Sequence, residues 1–251
     1  MTASLRDTAY ARIRELLLNG VLPPGTHLSA RTLGKHLGMS LIPVREAIGQ
    51  LAHEGLVRHV PGRGAFVHWP TASELEELYE IREALECHAA SVAIDRIQPE
   101  TIATMRRCNA VLEAIVAANP GAAARVRRED SDRWVQADAE LHIALLGATG
   151  NRRMVEFVGN LRTMAQVFGG GRGGHVDSAP NRERIVREHA ALIGALEQHD
   201  GDRAQAVLSE HIRTGLTEAR RLMTFRLMNH GRDGTVPELA GLLGRASRDV
   251  D

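Results

Sequence analysis

The chain has 251 residues, of which 43% are hydrophobic and 25% charged, a composition typical of folded globular proteins and not of disordered ones. Aromatic residues make up only 3%, while Ala, Leu, Arg and Glu are abundant, so we expect a mainly α fold and not a β-sandwich. The net charge of zero hides a division, because residues 1–70 carry eight Arg or Lys against four Asp or Glu, a net of +4, and the remainder carries −4. This division indicates that the N-terminal part binds a polyanion.

No targeting or membrane-spanning segment is evident. The first residues contain no uninterrupted apolar core of signal-peptide length, and no later run approaches the roughly 20 apolar residues of a membrane span. We therefore expect a cytoplasmic protein without a membrane partner. Cys87 and Cys108 form no CxxC pair and lie within helical patterns, which favours free thiols over a disulfide.

The first 70 residues predict three short helices followed by a two-stranded ribbon. The helices lie near 5–19, 29–37 and 41–54, with breaks at "VLPPG" and "LGMS". Two strand-like pieces, "LVRHV" and "AFVHW", follow and are joined by "PGRG". This order is the plan of a winged helix-turn-helix domain, which we assign to residues 1–70.

The third helix has the features of a helix that enters the major groove of DNA. Ser40 can act as its N-cap, with Pro43 in the first turn, where a missing N–H does little harm. One face is apolar and should pack inward: Val44, Ile48 and Leu51. The opposite face carries a different set: Ile42, Arg45 and Gly49. An arginine there suits guanine edges or phosphates, and Arg63 in the wing suits a phosphate or the minor groove. The alternative is a small helical unit that only packs on the second domain or mediates assembly.

The chain from residue 73 to about 228 predicts six further helices. Ser73 is the expected N-cap of the first, with Glu76 completing a capping box. The helices lie near 73–96, 98–118, 130–149, 151–168, 181–199 and 202–228. A Gly-rich stretch at 169–180 is either a lid or a plain connection. We assign residues 71–230 to an all-α helical bundle and residues 231–251 to a tail that is disordered or forms a minor helix.

Ionisable side chains interrupt the apolar stripes of three of these helices. Asp138 and His142 lie four residues apart in the same stripe as Trp134, Leu141 and Leu145. His189 and His211 occupy comparable positions in the last two helices. A hydrogen-bonded Asp–His pair in the core would explain the first helix alone. One divalent metal ion would satisfy all four side chains together: Asp138, His142, His189 and His211.

Arg82 is a further charged residue on an inward stripe, in "ELEELYEIREALECHAA". It can pair with Glu86, four residues on. It can also face the metal and bind the carboxylate of an effector that bridges both. The residues alone leave these two interpretations open.

Two stretches of the first 70 residues carry a specific pattern, "LLNGVLPPGTHLSARTLGKHLGMS" and "PVREAIGQLAHEGLVRHVPGRGAFV". With a serine before a PVREAL-like run and a glycine-bearing wing, they closely resemble the DNA-binding domain of GntR-type bacterial transcription regulators. The resemblance implies DNA contacts at Arg31, Ser40, Arg45 and Gly62. One departure is evident, because the family usually has an arginine and then a threonine or methionine where this chain has Leu41 and Ile42. We therefore expect an operator that differs from the common one, or a lower affinity.

A second pattern runs through residues 74–218. It consists of "REALE", the Asp138–His142 pair, and the later "EH" and "H" positions at His189 and His211. Behind a GntR-type domain this order is similar to the all-helical FCD domain of the FadR subfamily, and six helices place it nearer to the VanR-like branch. The resemblance implies that the Asp and the three His hold zinc, nickel or a similar divalent ion, and that a small organic acid completes the coordination. Acyl-CoA-responsive members lack this set, so we do not expect a fatty-acid effector.

These patterns predict a ligand-responsive transcription factor and not an enzyme. The resemblance implies a repressor of a catabolic or transport operon that binds an inverted-repeat operator as a homodimer, with an effector that changes its DNA affinity. The alternative is a metal-dependent hydrolase or isomerase with a nucleic-acid-binding appendage. Against it, no general base is assignable near the ligands, since Glu140 lies off the stripe. A third interpretation is a structural metal in a helical assembly module.

Overall fold

The computed structural model describes residues 4–120, 127–169, 179–233, 239 and 241–243. The helices are α1 (Leu5–Leu18), α2 (Ala30–Leu37), α3 (Leu41–His53), α4 (Ala72–Ala93), α5 (Pro99–Ala118), α6 (Arg128–Ala148), α7 (Arg152–Phe168), α8 (Ala179–Glu197) and α9 (Gly201–Asp233), and the strands are β1 (Val57–Val60) and β2 (Gly64–Val67). The mainly α fold is confirmed, and every predicted helix is present. None of the described helices combines the length and apolar character needed to cross a membrane.

The first three helices and the hairpin form the predicted winged helix-turn-helix unit. α1 packs across α3, and α2 also contacts α3. Three side chains at the centre of this unit are fully buried: Ile13, Leu33 and Leu51. β1 and β2 pair antiparallel, with Val57 opposite Val67 and Val60 opposite Gly64. The hairpin therefore projects its turn, residues 61–63, away from the helices as a wing.

Local sequence sets the turn between α2 and α3. Ser29 caps α2 by accepting a hydrogen bond from the N–H of Thr32. The N–H of Met39 donates to the carbonyl of Gly34, and a β-carbon at Gly34 would lie only 2.9 Å from the Met39 carbonyl oxygen. A larger residue would thus push the two helices apart. Ser40 is the N-cap of α3, as predicted, but its hydroxyl makes no capping hydrogen bond.

The six helices α4 to α9 pack into an all-α bundle, as predicted. α4 lies against α9, α5 lies against both α6 and α8, and α7 contacts α4 and α6. This arrangement turns one face of α4, α6, α7, α8 and α9 towards a shared interior. The candidate site lies in that interior.

The predicted capping box at the start of α4 is wrong. The Thr71 hydroxyl accepts from the N–H of Glu74 at 3.1 Å, and the Glu74 carboxylate accepts from the N–H of Thr71 at 2.7 Å. The helix therefore begins at Ala72, and the box is formed by Thr71 and Glu74, not by Ser73 and Glu76. The same spacing of residue types occurs in "TASE" and in "SELE", and the helix extends back far enough to use the earlier one.

The C-terminal helix is longer than the sequence predicts. α9 continues to Asp233 and so enters the segment that we assigned to the tail, 231–251. Leu239 and Leu243 are buried and belong to the main apolar core, so this part of the tail packs on the protein. The Gly-rich stretch that we expected to be a lid or a plain connection lies outside the described residues from residue 170 to residue 178.

α7 touches both parts of the molecule. The Arg14 guanidinium of α1 donates a hydrogen bond to the Thr163 hydroxyl of α7. At the end of α7, Phe168 packs edge-on against His68, with ring centroids 5.4 Å apart. A displacement of α7 would therefore alter its contacts with the winged helix-turn-helix unit.

Candidate metal centre and DNA-binding surface

Four ionisable side chains from three helices meet inside the bundle. α6 supplies Asp138 and His142 from one face, α8 supplies His189, and α9 supplies His211. One potential ligand atom of each residue lies within 4.8 Å of those of the other three. The centroids of the three imidazole rings are 4.9 to 5.3 Å apart. The structure thus brings together all four residues of the ligand set expected from the sequence.

The cluster contains buried nitrogen atoms that lack a hydrogen-bond partner among the described residues. These are Nε2 of His142 and both ring nitrogens of His189, and the two side chains are 0% and 1% exposed. Buried polar atoms without a partner are rare and costly. A divalent ion would give a partner to the lone pair of His142 Nε2 and to that of one His189 nitrogen, and three imidazole nitrogens with one carboxylate oxygen suit zinc or nickel. The residues present therefore fit a metal ion.

Two carboxylates orient the imidazoles from outside the cluster. Oε2 of Glu86 lies 2.8 Å from Nδ1 of His142, and Oε2 of Glu188 lies 2.9 Å from Nδ1 of His211. Burial opposes ionisation of Glu86, but the guanidinium groups on either side of it hold its pKa well below the usual range. Because an ionised carboxylate only accepts, each Nδ1 must donate, and each Nε2 keeps its lone pair for the cluster.

Burial also keeps two histidines of the cluster, His142 and His189, in the form that binds a metal. Burial and the nearby Arg162 guanidinium lower the pKa of His142 to about 4. Burial and the neighbouring His211 hold the pKa of His189 well below its usual range. Burial opposes ionisation of Asp138 as well, but Arg162 and the three neighbouring histidines together keep the pKa of that carboxyl below the usual range. At neutral pH the site presents two neutral imidazoles and a carboxylate.

Arg162 of α7 is a site residue that sequence reasoning missed. Its Nη2 donates to Oδ2 of Asp138 at 2.6 Å, and its Nη1 donates to Oε2 of Glu86 at 3.2 Å. The side chain is only 8% exposed. The sequence did contain a signal for it, because Arg162 lies between the buried residues Val158 and Ala165 in the apolar stripe of α7. Arg82 occupies a comparable position in the apolar stripe of α4.

Arg82 makes the intrahelical pair that was one of its two expected roles. Its Nε donates to Oε1 of Glu86 at 2.9 Å, and its guanidinium carbon lies 4.9 Å from the ring centroid of Tyr79. The side chain is 7% exposed and also borders a cavity beside the cluster. The pair with Glu86 therefore leaves the guanidinium in reach of a ligand.

The cavity beside the cluster has a volume of about 80 Å³. One water molecule needs only about 10–15 Å³, so the space suits a small organic molecule. Its polar wall includes Asp138, His211, Glu218, Arg82, Arg162 and Arg184, and its apolar wall includes Tyr79, Trp134, Ile185 and Ile212. A few convergent charges over an apolar surface are typical of a small-molecule site.

The five residues expected to contact DNA are all exposed on the winged helix-turn-helix unit. They are Arg31 on α2, Ser40 and Arg45 on α3, and Gly62 and Arg63 in the wing. Gly62 has φ of +70°, a conformation that favours glycine and lets the backbone of the wing approach a partner closely. The Arg63 guanidinium lies 5.7 Å from the ring centroid of Phe66, which holds it at the tip of the wing.

Family models match both parts of the chain. The model described as "Bacterial regulatory proteins, gntR family" matches residues 5–67. The FCD domain model matches residues 77–214. The two matches follow each other in the order that the sequence patterns predicted.

Individual relatives agree with these matches. An uncharacterised HTH-type transcriptional regulator of Agrobacterium vitis is 36% identical over 143 residues, which are 56% of this chain and 78% of the relative. The HTH-type transcriptional repressor RspR of Escherichia coli K12 is 24% identical, over 84% of this chain and 87% of the relative. Among solved structures, E. coli McbR/YncC aligns with a TM-score of 0.72 and 19% identity, over 88% of this chain and 99% of the other. The curated relatives are described as transcription regulators and not as enzymes.

Proposed function

The chain belongs to the gntR family of bacterial regulatory proteins and carries an FCD domain, and on that premise we propose that it is a metal-dependent sensor of a small carboxylate that controls binding to an operator. Residues 1–70 bind the DNA, and residues 71–230 bind the metal and the effector. The observation that carries the proposal is the convergence inside the bundle of Asp138 with buried histidine nitrogens that have no hydrogen-bond partner among the described residues. The transcription regulators among its relatives speak against a hydrolase or isomerase.

The metal site consists of Asp138, His142, His189 and His211. A bound zinc or nickel ion would supply positive charge and a coordination position for an oxygen of the effector. Glu86 and Glu188 keep the imidazoles in the tautomer that faces the ion.

The charge balance of the interior supports an anionic effector. The buried guanidinium groups of Arg82 and Arg162 already balance the carboxylates of Glu86 and Asp138. A divalent ion would add positive charge that these groups do not offset, and uncompensated charge is costly in a buried site. A small carboxylate in the adjacent cavity would offset it and could also accept hydrogen bonds from an arginine.

α7 provides a physical connection between the effector site and the DNA-binding unit. Arg162 contacts Asp138 in the cluster, and the next residue, Thr163, accepts the hydrogen bond from Arg14 of α1. α1 packs on α3, the helix expected to enter the major groove. A change in the contacts of Arg162 on effector binding would therefore shift α7 against α1, and a coupling of this kind amounts to about 1–3 kcal/mol in other proteins.

The chain acts as a homodimer on an inverted-repeat operator and represses a catabolic or transport operon. Two-fold symmetry would place two α3 helices on the two half-sites, since each winged unit reads only one. The description of RspR as a repressor supports the direction of control.

The test compares the wild type with His189→Ala and, as a matched control, with His88→Ala, which changes an exposed histidine on α4. We expect about one metal ion per wild-type chain after dialysis, the same in the control, and almost none in His189→Ala, with helical content and binding to a pool of genomic fragments retained. Metal content is read by atomic emission, helical content by circular dichroism and DNA binding by gel shift. Global unfolding of His189→Ala alone would support a structural metal, and a metal-free wild type would reject the site.

A further inference from the structure

Two large apolar side chains are exposed at the start of α3. Ile42 is 71% exposed and Leu41 is 39% exposed. They occupy the first two positions of the helix, directly after Ser40, whose hydroxyl makes no capping bond. The rest of the helix follows the usual pattern, because Val44, Ile48 and Leu51 are buried. The apolar tip is therefore not part of the core of its own domain.

The surroundings of this tip are suited to a polyanion. Arg45 lies three and four residues on from the pair, on the same side of the helix, and a β-carbon at Gly49 on this side would meet no atom within 4 Å. The winged helix-turn-helix unit that carries the tip has four exposed cations on α2, α3 and the wing: Arg31, Lys35, Arg45 and Arg63. Glu46 is the acidic side chain of α3 and is outnumbered by them. An apolar tip on a unit with several exposed cations suits a base edge between two phosphate chains.

The chemistry of the major groove selects the base that such a tip can face. Guanine, adenine and cytosine present hydrogen-bonding atoms there, which an aliphatic side chain would desolvate without replacing their partners. Thymine presents the acceptor O4 as well, but it alone adds a 5-methyl group, which gains from apolar contact. On the premise of the proposed DNA binding, we propose that Ile42 determines specificity by contacting the 5-methyl group of a thymine, with Leu41 packed beside it.

Ile42 is the better residue of the two for a test. Its high exposure means that Ile42→Ala removes little packing, and alanine favours the helix. Leu41 is partly packed on its own domain, so its replacement would mix folding with recognition. Ile81→Ala is the matched control, because Ile81 is a 42% exposed isoleucine on α4, far along the chain from the tip.

The experiment uses the full-length protein and a binding site selected from genomic DNA. Each thymine of the site is replaced in turn by deoxyuridine, which lacks only the 5-methyl group. Loss of one buried methyl contact, about 0.8 kcal/mol, converts to about fourfold in affinity, so we expect the wild type to weaken by about that factor at one symmetric pair of positions. Ile42→Ala, which removes the contact from both half-sites of the proposed dimer, should bind the thymine site about 16-fold more weakly than the wild type and show no further loss with deoxyuridine, whereas Ile81→Ala should match the wild type.

The outcomes separate this inference from the proposed function. If the wild type selects no site at all, DNA recognition itself fails. If it selects a site and no deoxyuridine substitution weakens binding, the thymine contact is rejected while DNA binding stands. The contact is also rejected if Ile42→Ala remains as sensitive to deoxyuridine as the wild type.

Discussion

Glu86→Gln is the most informative change in the buried network of the bundle. Oε1 of Glu86 accepts from Arg82, and Oε2 accepts from both Arg162 and His142. Glutamine has the same shape, but it carries no charge and offers only one acceptor oxygen. If that oxygen takes the position of Oε2, the amide NH2 group faces the Arg82 guanidinium, which is also a donor. In the other orientation the NH2 group faces Arg162 and His142.

The expected cost follows from what the glutamine leaves behind. Two guanidinium groups stay buried with the charge of Asp138 alone, and removing one partner of a buried ion pair costs about 3–5 kcal/mol. Loss of the contact that orients His142 should also weaken metal affinity by about 10- to 100-fold. Glu83→Gln on the same helix is the control, because Glu83 pairs with Ser209 and Arg213 near the surface, where such pairs contribute about 1 kcal/mol or less.

The assay is urea unfolding followed by far-UV circular dichroism in the presence of a chelator, so that metal binding does not contribute. Glu86→Gln should lose several times more unfolding free energy than Glu83→Gln. Equal small losses in both variants would refute the idea that Glu86 compensates the buried guanidinium groups. A separate metal titration without chelator checks the loss of affinity.

Three further changes test other parts of the account. Thr163→Val keeps the volume of the side chain but removes the acceptor of the Arg14 hydrogen bond. In the wild type we expect the operator affinities of metal-loaded and chelated protein, measured by fluorescence anisotropy, to differ at least about fivefold, and in Thr163→Val they should converge. Thr217→Val, on the exposed side of α9, is the control and should leave the difference intact. Chelation should lower the thermal midpoint of the wild type and not that of His189→Ala, because a ligand at 100 times its Kd stabilises by about 2.7 kcal/mol. Arg63→Ala should leave folding unchanged and reduce the slope of log affinity against log salt by about 1 for each wing, about 2 for the proposed dimer, and an unchanged slope would remove the wing arginine from the interface.

The convergence of the four residues of the candidate metal cluster could be predicted from the sequence because each of them breaks a simple rule. A histidine in an apolar helical stripe needs a partner, and three such helices together pointed to one shared partner. The same rule locates Arg82 and could have located Arg162, whose stripe in α7 is equally apolar. The rule could not reveal that Glu86 contacts both arginines and His142. Glu86 and Arg162 are 76 positions apart in the chain and meet only because α4 packs against α7.

Helix ends were predicted less well than helix positions. "TASE" and "SELE" offer the same capping pattern, and only the folded chain distinguishes Thr71 from Ser73 as the cap. The extension of α9 to Asp233 has no strong local signal, since "MNHGRD" contains a glycine that favours an earlier end. The roles of the DNA-facing residues and of the effector cavity remain predictions, supported by exposure and by charge.

The most direct test of the central claim is the selection of binding sites from fragmented genomic DNA with the purified protein, read by sequencing. A ligand-responsive regulator with a functional winged helix should enrich a short inverted repeat upstream of a catabolic or transport gene. Failure to enrich any sequence at modest salt would mean that a recognition helix with Leu41 and Ile42 does not bind DNA specifically, and it would contradict the account.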